Sequence, residues 1–311
     1  MSAFAFFFPG QGSQSLNMMN GFDGNALVQN TFDEASAALG EDLWAMMNGS
    51  DAEIIAQTVH TQPLMLTAGV ATYRAYLAAG GAVPHTVAGH SLGEYTALVA
   101  AGVLDFADAV RLVRKRAELM QNAVPAGEGA MAAVLGLDDD TVRQICADAE
   151  QGGVVEAVNF NSPGQVVIAG DAQAVARAAE AAKAAGAKRA LPLPVSVPSH
   201  CRLMRPAADE LANYLNGITF QAPQIRVLHN ADVAAYSSPE QIKDALVRQL
   251  YSPVRWTETV AQLVREGITE SAECGPGKVL TGLAKRIDKA AVCTALVSQE
   301  AVAAFASTHP A

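Results

Sequence analysis

The sequence predicts an α/β protein with a mostly parallel sheet and a smaller subdomain inserted into it. Two observations support this prediction. Short apolar runs bounded by Gly or Pro alternate with longer helical stretches, as in a sheet covered by helices, and these runs are 4–8, 86–88, 226–230 and 268–273. From Gly129 onward the order becomes strand, helix, strand, strand, helix, strand, which is the order of a ferredoxin-like unit.

The inserted unit carries its own start and stop signals. Its strands are predicted at 130–137, 154–160, 165–169 and 188–193, and its helices at 139–150 and 172–185. Asp138 and Asp171 precede the two helices and are expected to cap their free N–H groups, and Gly186 ends the second helix. The unit therefore has the signals of a self-contained ferredoxin-like (βαββαβ) subdomain.

The position of this unit in the chain gives the domain prediction. We expect a large domain of residues 1–126 and 197–311 and a small subdomain of residues 127–196. A ligand cleft is expected where the two meet, because binding sites favour such junctions. The tail after about Val297 is expected to fray.

Composition limits the classes of protein and of partner. Half of the 311 residues are hydrophobic and 17% are charged, which is enough for a substantial core. The net charge of −10, with no basic tract, argues against nucleic acid or an anionic membrane as a partner. The apolar residues 3–8 lack a preceding positive charge and end at Pro9, which indicates a core strand rather than a signal peptide. No apolar run approaches the roughly 18 residues of a membrane helix, so we expect a cytoplasmic protein.

The cysteines argue against a metal site or a disulfide framework. They are far apart and contain no C-x-x-C pair, and they stand at Cys146, Cys201, Cys274 and Cys293. Reduced thiols without metal are therefore expected.

Residues 89–93, Gly-His-Ser-Leu-Gly, stand where the apolar run 86–88 gives way to a helix beginning near Glu94. A sharp turn from strand to helix crowds the backbone around the serine, so its neighbours must lack a Cβ while its hydroxyl is exposed. Ser91 is therefore the candidate nucleophile. The arrangement is typical of an α/β-hydrolase-like domain, which is the architecture that we predict for the large domain.

Arg116 lies on the apolar face of a predicted helix that begins at Asp105. Leu112, Val113 and Met120 are three or four residues away and share its face. A guanidinium facing inward needs a partner, because an unpaired buried charge is costly. Two interpretations stay open at this point: a structural ion pair or outward-reaching stem, and a clamp for a substrate carboxylate.

Six histidines could serve as the base for Ser91: His60, His85, His90, His200, His229 and His309. His90 should point away from the hydroxyl at a sharp turn. His200 is the best candidate, because it stands where the chain leaves the inserted unit at the predicted cleft. No acid between Ser91 and His200 looks suited to orient the imidazole, so a backbone carbonyl could do so and the predicted site is a dyad.

Several motifs together resemble those of one known family. They are Phe-Pro-Gly-Gln-Gly-Ser-Gln at 8–14, Gly-His-Ser-Leu-Gly-Glu at 89–94, Arg116, Asn-Phe-Asn-Ser-Pro-Gly-Gln at 159–165, Pro-Ser-His at 198–200 and Glu-Cys-Gly-Pro-Gly-Lys at 273–278. In this order, over nearly the whole chain, the sequence resembles the malonyl-CoA:acyl carrier protein transacylases of type II fatty acid synthesis. That family also has the ferredoxin-like insert.

The resemblance implies a role for each matching residue. Ser91 would be the acylated nucleophile and His200 its base, with the backbone carbonyl of Gln249 orienting the imidazole. The backbone N–H groups of Gln11 and Leu92 would form the oxyanion hole. Arg116 would hold the malonyl carboxylate.

The resemblance also implies the substrates and partners. Malonyl-CoA and acyl carrier protein would be used without a metal or redox cofactor, by a protein expected to be a monomer. Val-Pro-Ser-His at 197–200 resembles the stand-alone bacterial enzymes and not the His-Ala-Phe-His of malonyl-selective polyketide synthase domains, so malonyl is expected and methylmalonyl tolerance stays open. The carrier protein is acidic, as is this chain, so docking needs a local basic patch, for which Lys188-Arg189 and Lys285-Arg286 with Lys289 are candidates.

Two other functions use the same residues. A serine hydrolase or thioesterase would need a carboxylate on the histidine and a water near the acyl carbonyl, neither of which the sequence indicates. A catalytically silent carrier-protein scaffold would not need Ser91.

Overall fold

The computed structural model describes residues 3–195 and 197–311 of the chain. The strands in these residues are β1 (Phe4–Phe8), β2 (Thr86–Gly89), β3 (Gly129–Leu135), β4 (Val155–Ser162), β5 (Gln165–Asp171), β6 (Arg189–Pro192), β7 (Arg226–Leu228), β8 (Glu270–Glu273) and β9 (Val292–Ala295). The helices are α1 (Ala26–Leu39), α2 (Leu43–Met47), α3 (Ala52–Ala56), α4 (Thr58–Ala78), α5 (Gly93–Ala100), α6 (Phe106–Asn122), α7 (Asp139–Ala149), α8 (Ala172–Ala184), α9 (Arg205–Leu215), α10 (Pro239–Gln249), α11 (Trp256–Arg265), α12 (Val279–Ile287) and α13 (Gln299–Thr308). The predicted α/β class is confirmed.

The larger sheet is parallel throughout and has the strand order β7-β2-β1-β8-β9. Its central strand β1 is buried over its whole length, because helices cover both faces. Phe4, Phe6 and Phe8 pack into the core with α4, and Ala5 and Phe7 pack on the other side with α11 and α12. The predicted mostly parallel sheet is confirmed.

The smaller sheet is antiparallel, with the order β4-β5-β3-β6 and with α7 and α8 packed on it. This is the predicted ferredoxin-like arrangement of strands and helices. The division into residues 1–126 with 197–311 and residues 127–196 stays a prediction, and its second boundary falls on Ser196, which lies outside the described residues.

Backbone hydrogen bonds join the small sheet to the rest of the protein. The N–H of Phe160 in β4 donates to the carbonyl of Val254 at 3.0 Å, and the N–H of Val254 donates to the carbonyl of Val158 at 2.8 Å. Arg202 adds ion pairs to Glu150 and Glu156 at 2.8 and 2.6 Å. These contacts hold the small sheet as one wall of a cleft.

Two local predictions were wrong, and one strand was missed. The tail after Val297 forms α13, because Phe305 packs its ring 5.9 Å from that of Phe4. Strand β9 was not predicted, since it is a short edge strand with alternately exposed residues. Asp171 does not cap α8 with its side chain and instead accepts from the N–H of Val154 at 2.5 Å, whereas Asp138 caps α7 as predicted.

Other sequence expectations concern thiols and membrane helices. All four cysteines are free thiols, and three of them are buried. Within 3–195 and 197–311, no helix combines the length and the apolar character needed to cross a bilayer.

Pro63 interrupts the hydrogen bonding of α4, and a side chain of α6 compensates. Proline has no N–H, so the carbonyl of Val59 one turn earlier loses its helical donor. The Nε of Arg114 donates to that carbonyl at 2.8 Å. Arg114 also pairs with both carboxylate oxygens of Glu41, at 2.6 and 2.7 Å. Arg114 thus ties the first turn of α4 to α6.

We expect Arg114→Met to lower the free energy of unfolding by about 2 kcal/mol, because it removes a paired guanidinium and leaves the Val59 carbonyl without a donor. In a Pro63→Ala background the loss should be smaller by about 1 kcal/mol, since the alanine supplies the missing N–H. Urea unfolding of the four proteins of this cycle measures the difference. Arg111→Met, which removes an exposed pair with Asp108 on the same helix, is the control and should change stability by less than about 1 kcal/mol. Additive effects of Arg114→Met and Pro63→Ala would contradict this account.

Candidate active site

Ser91 lies in the turn between β2 and α5, with a backbone φ of 52°, which few residues other than glycine adopt. A Cβ on Gly93 would lie 2.0 Å from the carbonyl oxygen of Phe8, and one on Gly89 would lie 1.8 Å from the carbonyl carbon of Gly93. Only glycine fits at either position. The predicted crowding around Ser91 is therefore confirmed, and it places the hydroxyl at the edge of the sheet.

His200 lies directly beside Ser91. Its Nε2 is 2.7 Å from the Oγ of Ser91, and its Nδ1 is 2.8 Å from the backbone carbonyl oxygen of Gln249. A carbonyl can only accept, so Nδ1 carries the proton and Nε2 is free to accept from the hydroxyl. Burial, followed by the positive charge of Arg116, lowers the pKa of His200 to about 3. The imidazole is therefore neutral near pH 7.

Arg116 is 1% exposed, and its guanidinium faces the hydroxyl of Ser91 from α6. Its guanidinium donates to the Oε1 of Gln62 at 2.8 Å, to the Oε1 of Gln249 at 2.9 Å and to the Oγ of Ser91 at 3.3 Å. All three acceptors are uncharged. Among the described residues Arg116 makes no ion pair, so the interpretation as a structural ion pair is wrong.

The backbone N–H groups of Gln11 and Leu92 lie at the same cleft. Leu92 immediately precedes α5, where free N–H groups and the helix dipole favour negative charge. Neither N–H donates to an acceptor within the part of the chain that the structure describes. A Cβ on Gly10, next to Gln11, would lie 3.8 Å from the nitrogen of Leu92, so the two segments are adjacent.

A cleft of about 700 Å³ connects these groups. Its walls come from both sheets: Gln11, Ser91, Leu92, Arg116 and His200 on the side of the parallel sheet, and Met131, Asn159 and Leu193 on the side of the small sheet. The expected cleft at the junction is present. It opens the hydroxyl of Ser91 to a ligand of moderate size.

The other histidines lie away from the hydroxyl of Ser91. The Nε2 of His90 is 2.7 Å from the Oδ1 of Asn161, so His90 points away as expected. His229 is buried against Glu94, with its Nδ1 2.7 Å from the Oε1 of that residue. His60 lies in α4, with its Nδ1 3.7 Å from the Oε2 of Glu41.

Sequence reasoning missed the polar residues that support the site. Gln62 in α4 and the side-chain amide of Gln249 pair with Arg116. Asn230 accepts from the N–H of Ser91 at 2.7 Å and donates to the carbonyl of Gly89 at 2.7 Å. Glu94 accepts from the N–H of Asn230 at 2.9 Å. One signal was available, since Glu94 is the only charged residue of helix α5, which is mostly apolar.

Comparisons with known proteins agree with this geometry. The sequence-family model of the acyl transferase domain matches residues 5–286. The malonyl CoA-acyl carrier protein transacylase of Escherichia coli K12 is 57% identical over 98% of this chain and 99% of its own length. That of Bacillus subtilis is 45% identical over 93% of this chain and 92% of its own.

Solved structures give the same result. An acyl-carrier-protein S-malonyltransferase from Burkholderia pseudomallei superimposes with a TM-score of 0.96 at 57% identity, covering 98% of this chain and 99% of its own. A malonyl-transacylase in complex with its type II PKS acyl-carrier protein has a TM-score of 0.97 at 52% identity, covering 99% of this chain and 100% of its own. The chain therefore belongs to the acyl transferase family and, within it, to the malonyl CoA-acyl carrier protein transacylases.

Proposed function

We propose that this protein transfers the malonyl group of malonyl-CoA to the phosphopantetheine thiol of acyl carrier protein, through a malonyl ester on Ser91. One observation carries the proposal: the Oγ of Ser91 lies within hydrogen-bond distance of both a neutral imidazole, at 2.7 Å, and a buried guanidinium, at 3.3 Å. The first can activate the hydroxyl, and the second can hold an acid on the acyl group. The names of the relatives support the same reaction and the same partners.

In the first half-reaction, Nε2 of His200 takes the proton of Ser91 as Oγ attacks the thioester carbonyl carbon. The carbonyl of Gln249 stabilises the imidazolium that forms, because it accepts from Nδ1. The tetrahedral intermediate then expels the CoA sulfur, which receives the proton from His200. The product is a malonyl-serine ester and free CoA.

The N–H groups of Gln11 and Leu92 are proposed to bind the oxyanion of the tetrahedral intermediate. Neither N–H donates to an acceptor among the described residues, so each can donate to a ligand without breaking another hydrogen bond. Preorganised donors of this kind typically contribute about 10²–10³ in rate each.

Arg116 is proposed to bind the malonyl carboxylate through its guanidinium fork. The amide oxygens of Gln62 and Gln249 that Arg116 contacts are uncharged and form weaker hydrogen bonds than a carboxylate does. Replacing these hydrogen bonds with bonds to the malonyl carboxylate is therefore favourable. An acetyl group offers no such partner, which makes Arg116 the proposed source of malonyl selectivity.

In the second half-reaction the phosphopantetheine thiol takes the place of CoA, and the same steps run in reverse. Every bond change is an acyl transfer between oxygen and sulfur, so we propose that no metal or redox cofactor takes part. Hydrolysis by the same residues is the alternative, and the carbonyl of Gln249 stands where a hydrolase of the Ser-Asp-His type places a carboxylate. That difference favours transfer.

The two proposed docking patches for the carrier protein meet in space. Lys188 and Arg286 line one groove of about 440 Å³, and the guanidinium of Arg286 donates to Gln165 at 2.9 Å. Asp138 also lines this groove, but its carboxylate accepts from the N–H and the hydroxyl of Thr141. The groove lies at the start of β6, and Leu193, just past the end of β6, lines the cleft of Ser91. We propose this groove as the basic surface for an acidic carrier protein.

We expect wild-type protein mixed with malonyl-CoA to gain the mass of one malonyl group, and Ser91→Ala to gain none, because the ester forms on that hydroxyl. Intact-mass spectrometry measures both. Ser199→Ala, which removes another hydroxyl of the same cleft, is the matched control and should still be acylated. The wild-type ester should persist in buffer and disappear when phosphopantetheinylated carrier protein is added. Acylation of Ser91→Ala would refute the assignment, and rapid loss of the ester in buffer alone would indicate a hydrolase.

We expect Arg116→Ala to lower kcat/KM for malonyl-CoA by at least about 100-fold while transfer from acetyl-CoA changes far less, because only malonyl loses a charge-assisted hydrogen bond. Transfer assays with both substrates measure the ratio. Arg111→Ala, on the same helix but exposed and paired with Asp108, should leave both rates near wild type. Equal losses for malonyl and acetyl would contradict the clamp.

We expect kcat/KM for acylation by malonyl-CoA to stay flat from about pH 8 down to about pH 5, because the pKa of His200 is lowered to about 3 and the neutral base persists. A histidine of ordinary pKa would lose about tenfold per pH unit below roughly 6.5. Rapid-quench acylation across this range tests the point.

A control on folding is needed at low pH. The unfolded chain binds a proton at His200 below roughly pH 6.5 while the folded chain does not, so this group lowers stability as pH falls through that window. Circular dichroism at each pH shows whether the protein is folded. A rate that falls with an inflection near pH 6.5 in folded protein would contradict the lowered pKa.

A further inference from the structure

Glu94 is a buried carboxylate that is separated from the proposed clamp by one side chain, the amide of Gln249. It lies in the first turn of α5 and is 0% exposed. Its oxygens accept from the N–H of Asn230 at 2.9 Å and from the Nε2 of Gln249 at 3.0 Å, and Nδ1 of His229 lies 2.7 Å away. Glu94 is thus fully paired, yet it does not contact Arg116.

The side-chain amide of Gln249 lies between these two buried charges. Its Oε1 accepts from Arg116 at 2.9 Å, and its Nε2 donates to the Oε2 of Glu94 at 3.0 Å and to the carbonyl of Ser91 at 2.9 Å. Both acceptors are on the nitrogen side of the amide. A reversed amide would point its two N–H donors at a guanidinium, which has no acceptor. Glu94, together with the carbonyl of Ser91, therefore fixes the orientation in which Gln249 presents its oxygen to Arg116.

The same arrangement explains how a buried guanidinium can lack a direct ion pair. An isolated buried charge is costly, and a carboxylate in direct contact would occupy the fork that a substrate acid needs. Glu94 supplies negative charge through one intervening amide, so it offsets the charge of Arg116 without occupying its donors. Burial lowers the pKa of Arg116, and the negative charge of Glu94 is among the causes that oppose that shift.

We propose that Glu94 is a positioning residue that sets acyl selectivity: it orients the Gln249 amide and acts as the remote counter-charge that keeps Arg116 available to a substrate carboxylate. This inference rests on the proposed function. It adds a residue that touches neither the substrate nor the reacting atoms. The selectivity would then depend on a chain of three side chains, Glu94, Gln249 and Arg116.

Three variants test the proposal, with kcat/KM measured for malonyl-CoA and for acetyl-CoA in transfer to carrier protein. Glu94→Gln keeps the shape but removes the charge and places a donor near Gln249, so the malonyl-to-acetyl ratio should fall by at least about tenfold. Glu94→Asp keeps the charge with a shorter reach, so its ratio should lie between that of Glu94→Gln and wild type. Thermal unfolding of each variant shows that the measured protein is folded.

The third variant combines Glu94→Gln with Gln249→Glu and so moves the carboxylate into direct contact with Arg116 at unchanged net charge. The malonyl-to-acetyl ratio should fall below that of Glu94→Gln alone, because the new carboxylate then occupies the guanidinium donors that the malonyl carboxylate needs. His229→Asn is the matched control: it disturbs Glu94 on the side away from Gln249 and should change stability without changing the ratio.

A purely structural role of Glu94 predicts equal losses for both acyl groups. A ratio within about twofold of wild type in every folded variant overturns the proposal, as does a ratio preserved in the combined variant. The proposed function fails separately, if the wild-type protein shows no malonyl preference or if Arg116→Ala leaves that preference intact.

Discussion

The site depends on Gln249, because this one residue contacts all three groups that are proposed to handle the acyl chain. Its backbone carbonyl accepts from His200, its amide oxygen accepts from Arg116, and its amide nitrogen donates to the carbonyl of Ser91. Gln249 is the last residue of α10 and is 1% exposed. The end of a helix frees its backbone carbonyl for a partner outside the helix. One rigid element thus sets the relative positions of base, nucleophile and clamp.

The two sheets contribute to this site in different ways. The parallel sheet and its helices supply the reactive residues, with Ser91 at the carboxyl end of β2, as is usual for sites on such sheets. The antiparallel sheet supplies the opposite wall of the cleft. Its backbone bonds to Val254 keep that wall in register with the segment that follows Gln249. The parallel sheet therefore holds the reactive residues, and the antiparallel sheet encloses the cleft.

The sequence predicted the features that follow from local patterns. The turn at Ser91, the inward face that carries Arg116 and the order of elements in the small unit all follow from residue spacing. The support of the site could not be predicted in this way. Glu94 and Gln249 are 155 residues apart, so no local pattern links them. Strand β9 and helix α13 were missed for a similar reason, since contacts with distant residues stabilise them more than their own sequence does.

The pairing of β1 has a consequence for how the chain folds during synthesis. Strand β1 is made before its neighbour β8 and before Phe305 of α13, which lie far along the chain from it. Phe7, which packs with α11 and α12, and Phe4, whose ring contacts that of Phe305, therefore lack these partners until those helices have been made. Apolar segments that stay uncovered in this way are the ones that chaperones bind and that aggregate when chaperones are scarce. A ribosome stalled before β8 should accordingly carry a nascent chain that cannot complete its main sheet.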